Sequence, residues 1–307
     1  MNVTISLPLF STFSSLERGL LVVTVAMYLL SVLLSLFLTA VISLDARLHR
    51  PMYVLLVNLS LCGVLGGSTL CPAVLRFLLW GRSQLSLVDC LVQIFFTNVY
   101  TGAVFCLLAV MAFDRYVSIC LPLRYHSVMT PPRLRLLLLW LYCFLVAVAA
   151  VQAYLTSRVA LCRFSIDKLM CDSLALSNLA CRQTLVVSAF GLFCSLSVIM
   201  FPCLLVLLSY AQIFIVILKK PGVSRRKAFR TCTPHLITFA NFSMASFFGV
   251  INRRLSDEVP KSVNIVVCLV VLVFPPLLHP IVYGIKTQEI QQSVKRTLHR
   301  HLQVTEK

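Results

Sequence analysis

Met111-Ala112-Phe113-Asp114-Arg115-Tyr116-Val117-Ser118-Ile119-Cys120, continuing as Leu121-Pro122-Leu123-Arg124-Tyr125, decides how this chain is read. The residues from Leu91 to Phe113 carry no charge, and an acid-base pair appears abruptly where that apolar run stops. At about 1.5 Å per helical residue, Cys90 and Arg115 lie roughly 37 Å apart, close to the thickness of a bilayer with its interfacial zones. The run predicts a membrane-spanning helix with Cys90 at one face and Asp114-Arg115 at the other.

Working outward, further charge-free runs cover Gly19 to Leu44, Pro51 to Leu75, Leu136 to Ser157, Gln183 to Leu218, Thr231 to Asn252 and Ser262 to Ile285. Each meets the requirement of about 20 apolar residues for crossing a bilayer. The fifth run is too long for one crossing, so its first part is assigned to the preceding loop. With 59% hydrophobic and only 12% charged residues, the 307-residue chain has about half the charge of a soluble domain. The fold class expected is an all-α membrane protein, a seven-transmembrane helix bundle with a short interfacial helix after the seventh span. It forms a single domain over residues 1–307: an extracellular tail 1–18, a bundle 19–285 and a cytoplasmic tail 286–307. No sequence repeat of solenoid length is visible.

Orientation follows from Lys and Arg. With the N-terminus outside, the inner segments hold 17 basic residues and the outer ones 10. That asymmetry satisfies the positive-inside rule. The formal net charge of +17 then reads as a topology signal facing anionic lipid, and nucleic acid is not expected as a partner. The first 18 residues lack the basic start and cleavage site of a secretory signal, so the first span acts as an uncleaved anchor. Asn2-Val3-Thr4 is a glycosylation sequon in the outer tail, whereas Asn58-Leu59-Ser60 and Asn241-Phe242-Ser243 fall inside spans.

Within the third span, Thr97, Thr101 and Phe105 repeat every four residues with Asn98 and Gly102 beside them, which makes one face, polar in its outer half. Interhelical hydrogen bonding and a ligand-facing wall both require that face to point inward. Gly63, Gly66 and Gly67 permit close helix approach in the second span. Cys162, Cys171 and Cys181 share an outer loop, and Cys90 sits at the outer end of the third span. Four cysteines on the oxidising side read as two disulfides, with three connectivities open. The other nine cysteines are in spans or inner segments, and no spacing suggests a metal site. The third inner loop, Lys219 to Lys227, carries five basic residues, which serve topology and lipid headgroups and suit the docking of a partner. Ile290, Val294 and Leu298 repeat every four residues among basic neighbours, the pattern of a helix lying in the inner interface.

Seven spans, an outside N-terminus and Asp114-Arg115-Tyr116 at the inner end of the third resemble a rhodopsin-like G-protein-coupled receptor. Longer motifs narrow the resemblance to the odorant receptors. Met111 to Tyr125 matches that family's signature with Ser118 as the one departure at a fixed position. Leu48-His49-Arg50-Pro51-Met52-Tyr53, Asn58-Leu59-Ser60, Ser209-Tyr210, Lys227 to Leu236 and Pro276 to Tyr283 resemble its other motifs. The pattern at Gly63, Gly66 and Gly67 resembles the fish-type branch, which implies waterborne odorants.

The resemblance implies disulfides Cys90 to Cys171 and Cys162 to Cys181. It implies that Arg115 holds the inactive state through Asp114, and that Tyr210 and Tyr283 support the open one. Expected partners are a small-molecule odorant, a heterotrimeric G protein of the olfactory stimulatory kind that raises cyclic AMP, and membrane lipid. No cofactor is expected. The wall of the odorant site is assigned to Thr97, Asn98, Thr101, Ser246 and Val250. Besides Ser118, four places depart from the family: Gly63 stands for the second-helix Asp, Ser35 for the first-helix Asn, and His279 for the Asn before Pro280. Phe242-Ser243-Met244 stands where many members have Phe-Tyr-Gly. These departures put sodium-dependent regulation in doubt and leave a receptor-like chain with altered or lost coupling as the alternative.

Thr97 offers no acid for a cationic amine, and the seventh span has no Lys for a retinal Schiff base. A transporter or channel is the reading from another class, but the span interiors have no Asp, Glu, Lys or Arg to carry ions. No nucleophile-base pair supports an enzyme.

Overall fold

A computed structural model describes residues 4–7, 15–81, 84–166, 170–182, 185–255 and 261–305. Among the described residues, eight long helices carry the fold: α1 Ser15–Leu44, α2 Pro51–Trp80, α3 Leu87–Cys120, α4 Pro131–Ser157, α5 Leu185–Leu218, α6 Gly222–Leu255, α7 Lys261–Lys286 and α8 Gln288–Thr305. The helices α1 to α6 each contain a stretch long and apolar enough to cross a membrane over the described residues, and α7 completes a seven-helix bundle. Their outward faces carry Leu33, Trp140, Phe193 and Leu207, each more than half exposed. An apolar belt of that size is stable only against lipid.

Local chemistry sets the helix ends. Pro51 and Pro131 open α2 and α4, where a missing N–H costs nothing. At the start of α3, Ser86 Oγ accepts from the Asp89 N–H at 3.0 Å and the Asp89 carboxylate accepts from the Ser86 N–H at 3.4 Å, a capping box. Gly81 closes α2 in the left-handed region at φ 63°, which a side chain would disfavour.

Helix α3 is the axis, packed against α2, α4, α5 and α6. Two glycines of α2 allow the helices to close around it. A Cβ at Gly66 would meet the Tyr100 ring of α3 at 2.6 Å, and one at Gly67 would meet the Tyr28 ring of α1 at 2.5 Å. Tyr28 is held in turn by a 2.7 Å hydrogen bond to Ser68.

One end of the bundle is covered by chain. Strand β1 (Thr4–Ser6) pairs antiparallel with β2 (Gln84–Ser86), Ile5 opposite Leu85. The Ser6 N–H donates to the Phe164 carbonyl at 2.8 Å, and the Ile166 N–H donates to the Ser6 carbonyl at 2.9 Å. Ile5, Leu7, Cys90, Ile94, Ile166 and Cys171 form a buried cluster beneath this cap. Bridges Cys90–Cys171 and Cys162–Cys181 pin the loop, with Cα separations of 5.4 and 4.9 Å.

The structure corrects two expected boundaries. Helix α5 begins at Leu185, so the first part of the fifth charge-free run is helix and not loop. Its 34 residues rise about 51 Å and overshoot the hydrocarbon. Helix α6 begins at Gly222, so most of the basic third loop forms its first turns. Charge ends the hydrocarbon transit but not the helix, because Arg, Lys and Ala are good helix formers. The helix expected after the seventh span is α8, 18 residues long. Ile290 of α8 is buried against the bundle, and Arg296 reaches Asp45 beyond α1 at 3.2 Å. The side chain of Leu298 lies outside the described residues.

Candidate functional site

At the end of α3 away from the disulfides, Asp114 is completely buried. An isolated carboxylate there would be prohibitively costly, so its partners define the site. Arg115 reaches one oxygen of Asp114 through Nη2 at 2.7 Å and through Nε at 3.2 Å. The Tyr125 hydroxyl donates to the other at 2.9 Å. Tyr125 lies in a four-residue helical turn, Tyr125–Val128, which follows the 3-10 turn Pro122–Arg124. Burial, then the adjacent Asp114 charge, pushes the Tyr125 hydroxyl above its ordinary pKa, so it stays a donor. Ser118, the departure within the motif, donates to the Arg115 carbonyl at 2.9 Å and so turns back on its own helix.

A second clasp lies deeper. Tyr210 of α5 and His235 of α6 stack at 5.4 Å, and the Tyr210 hydroxyl is 2.9 Å from His235 Nδ1. His235 Nε2 is 2.9 Å from the Leu108 carbonyl of α3. A carbonyl only accepts, so Nε2 carries hydrogen and Nδ1 accepts from Tyr210, one tautomer satisfying both contacts. Cys232, Ile213 and Ile217 pack around this clasp with Tyr210, and Tyr116 is half-buried against them. Tyr283 of α7 is buried in the neighbouring cluster with Phe105 and Phe242.

Gly63 of α2 faces Pro276 of α7, whose Cβ is 3.1 Å from where a Cβ at Gly63 would stand. The two helices have closed on the space a second-helix acid would use. His279 and Ser35 are buried, and neither the His279 ring nitrogens nor Ser35 Oγ has a hydrogen-bond partner among the described residues.

Toward the disulfide end, Thr97 Oγ is buried with no hydrogen-bond partner among the described residues. Thr101 and Ser246 are half-buried, whereas Asn98 and Val250 are exposed. Residues 256–260 beside that end of α6 are not among the described residues, and neither is Asn2. Among the described residues no group of three or more His, Cys, Asp or Glu is placed to hold a metal.

Three contributors were not legible in sequence. Tyr125 closes the motif, but nothing in the spacing says it returns to Asp114. His235 sits in a quoted motif with no role attached, although a His inside an apolar span is itself a signal. Gln93 of α3 is buried, donating to the Thr69 carbonyl of α2 and accepting from the Cys171 N–H, each at 2.8 Å.

Comparison with known proteins bears on the whole bundle. A model described as Olfactory receptor matches residues 24–301. The chain is 32% identical over 275 residues to olfactory receptor 52N2 of Homo sapiens, covering 89% of this chain and 86% of that protein. It is 33% identical over 293 residues to olfactory receptor-like protein OLF3 of Canis lupus familiaris, covering 95% and 92%. Olfactory receptor 2F1 of Homo sapiens is 34% identical over 293 residues, covering 94% and 91%. With those matches running through the Asp114-Arg115 site and both disulfides, this chain belongs to the olfactory receptor family.

Proposed function

We propose that the chain is an odorant receptor whose N-terminus and disulfides face the outside, and that odorant binding there releases a G-protein site at the Asp114 end. The observation that carries this reading is the buried Asp114, held by Arg115 and Tyr125 at one end of a helix whose other end is bridged to the outer loop. Such a helix connects two faces of a membrane and has a lock at one of them. Releasing Arg115 frees α3 from its own acid, and freeing His235 lets α6 leave α3. Odorant then acts as a ligand with higher affinity for the released arrangement.

The odorant is a small molecule without a formal amine charge, set against Thr97, Asn98, Thr101, Ser246 and Val250. The Thr97 oxygen, unpartnered among the described residues, supports a polar group on the ligand. Asp114, Arg115, Tyr116, Tyr210 and Tyr283 form the coupling machinery, and the partner is an olfactory stimulatory G protein that raises cyclic AMP. Leu123, 99% exposed beside the lock, supplies an apolar contact for that partner. Gly63, packed on Pro276, leaves no second-helix carboxylate for a sodium ion.

In cells carrying the N-terminally tagged chain, an odorant found by panel screening should lose potency with Thr97→Val while the maximal cyclic AMP response is kept. Arg115→Ala should abolish the response at equal surface level. A potency unchanged by substitution at all five wall positions rejects this placement of the odorant. The alternative, a receptor-like chain with altered coupling, is favoured by buried His279 and Ser35 lacking hydrogen bonds among the described residues, and predicts a well-displayed wild type silent to every ligand.

A further inference from the structure

A cavity of about 290 Å³ lies between α2 and α3 at the disulfide end, apart from the five residues assigned to the odorant wall. Leu65, Thr69 and Ala73 line it from α2, and Val92 and Phe96 from α3, with Leu85 between. Among the described residues the charges in its lining are Arg76 and Asp89, both at the rim. Apolar walls with a few placed polar groups are the ordinary constitution of a small-molecule site.

The rim pair is loose. Arg76 Nη1 is 3.4 Å from Asp89 Oδ2, the one hydrogen bond its guanidinium makes among the described residues, and the two side chains are 38% and 45% exposed. A guanidinium has five donors, so one long contact leaves it able to take a phosphate. Asp89 is fixed by the capping box, so its charge stays at the rim when Arg76 turns. Among the described residues the slot thus offers one positive and one negative group side by side.

Below the rim the slot runs along the bundle surface. Val92 and Phe96 are 48% and 39% exposed, so its α3 wall is open to lipid. From Arg76 to Leu65, α2 rises about 16 Å, which is the depth of one leaflet when the hydrocarbon core is about 30 Å thick. The back of the slot is rigid: Gln93, 5% exposed, ties the Thr69 carbonyl to the Cys171 N–H beside the disulfide.

We propose that this crevice is a binding site for a zwitterionic phospholipid, with the phosphate on Arg76, the cationic headgroup nitrogen toward Asp89, and one acyl chain laid between α2 and α3. A rim of both charges matches a headgroup of both charges. A purely anionic lipid meets repulsion from Asp89, and a purely cationic amphiphile meets it from Arg76. The site depends on membrane embedding but not on the odorant reading or on which end faces outside.

The test is native mass spectrometry of the full-length purified chain, exposed in micelles to equal amounts of palmitoyl-oleoyl phosphatidylcholine and the matching phosphatidylglycerol. The wild type should retain phosphatidylcholine in preference. Arg76→Gln should lower its retention about tenfold, as expected for a lost charge-assisted contact. Asp89→Asn keeps the capping oxygen and should reverse the preference toward phosphatidylglycerol. Ala73→Phe fills the slot, leaves both charges, and should lose both lipids. Water-soluble glycerophosphocholine at the same concentration should not displace the lipid. Equal retention by wild type and all variants, or a wild-type preference for phosphatidylglycerol, overturns the proposal. Displacement by glycerophosphocholine overturns the acyl-chain part and leaves a headgroup site alone. Cyclic AMP is not read in any arm, so loss of signalling and loss of this site are separable.

Discussion

The Tyr210 hydroxyl donates to Nδ1 of His235 at 2.9 Å, and the same imidazole donates through Nε2 to the Leu108 carbonyl, so one ring joins α3, α5 and α6. All three groups are enclosed, and any movement of α6 away from α3 breaks the Nε2 contact first. His235→Phe keeps a ring of similar shape and deletes both hydrogen bonds. It should favour the released arrangement by about 1–3 kcal/mol, roughly fivefold to 150-fold in the equilibrium. The expected readout is raised basal cyclic AMP per receptor at the surface, and unchanged basal signalling would show that the clasp does not hold the resting state.

Tyr125 restrains the acid from outside the span. Tyr125→Phe removes the 2.9 Å hydrogen bond to Asp114 and leaves that buried oxygen unsatisfied. Hydrogen bonds to charged groups contribute about 1.5–3 kcal/mol, so basal activity should rise at least several-fold. Tyr125→Phe combined with Asp114→Asn should add little to Asp114→Asn alone, which a double-mutant cycle on basal cyclic AMP would check.

Helix α8 is tied to the first loop through Asp45. Its carboxyl is held below the ordinary value near 3.8, first by the Ser293 hydroxyl, then by the Arg47 N–H, and further by the Arg296 charge. A carboxyl with a depressed folded-state pKa stabilises the protein above its unfolded value, and that contribution disappears as pH falls through the folded value. Asp45→Asn should therefore melt below wild type at pH 7 and at pH 5, and the gap should close only below about pH 4. Melting of the detergent-solubilised protein across that range provides the check, and a gap already closed at pH 5 would contradict the assignment.

The two disulfides close loops of very different length, with sequence separations of 81 and 19 residues. Chain entropy alone assigns about 4–5 kcal/mol to the longer and about 3 kcal/mol to the shorter. Cys171→Ser should lower melting temperature and surface display more than Cys162→Ser. The difference should widen further because Cys171 also positions its N–H on Gln93.

Helix α2 has a steric requirement that is separate from signalling. Gly66→Ala forces a Cβ into the Tyr100 ring, and overpacking of this kind costs about 1–3 kcal/mol. Tyr100→Leu in the same chain should recover part of the lost melting temperature. No recovery would mean the cost lies elsewhere than in the α2–α3 contact.

Much of this bundle was legible because lipid imposes a simple rule. Apolar length and charge-free runs mark the crossings, so Leu91 to Phe113 announced α3 and the acid-base pair announced the end of its apolar run, although the helix itself continues to Cys120. Helix ends were less legible: Lys219 to Lys227 reads as a loop by charge, yet the backbone is helical from Gly222, because Pro221 and Gly222 stand only at its start and the Arg and Lys that follow are good helix formers. Of the tertiary partners, the two disulfides and the Asp114–Arg115 pair followed from the family resemblance, and the others were not legible. Tyr125 returning to Asp114 and Gln93 reaching Cys171 depend on how turns and helices pack, which no spacing encodes. The loss of the second-helix acid could be read at Gly63, but its physical counterpart, Pro276 pressed against that glycine, appears only in three dimensions.

The central claim is that ligand binding at the disulfide end is transmitted through α3 to a G protein at the Asp114 end. The most direct measurement is cyclic AMP evoked by an odorant panel in matched cells with and without the stimulatory Gα subunit, at equal surface levels of the tagged chain. The account predicts a ligand-dependent rise that vanishes without Gα and is absent in Arg115→Ala. A ligand-evoked cellular response that persists at full size without any G protein would contradict it.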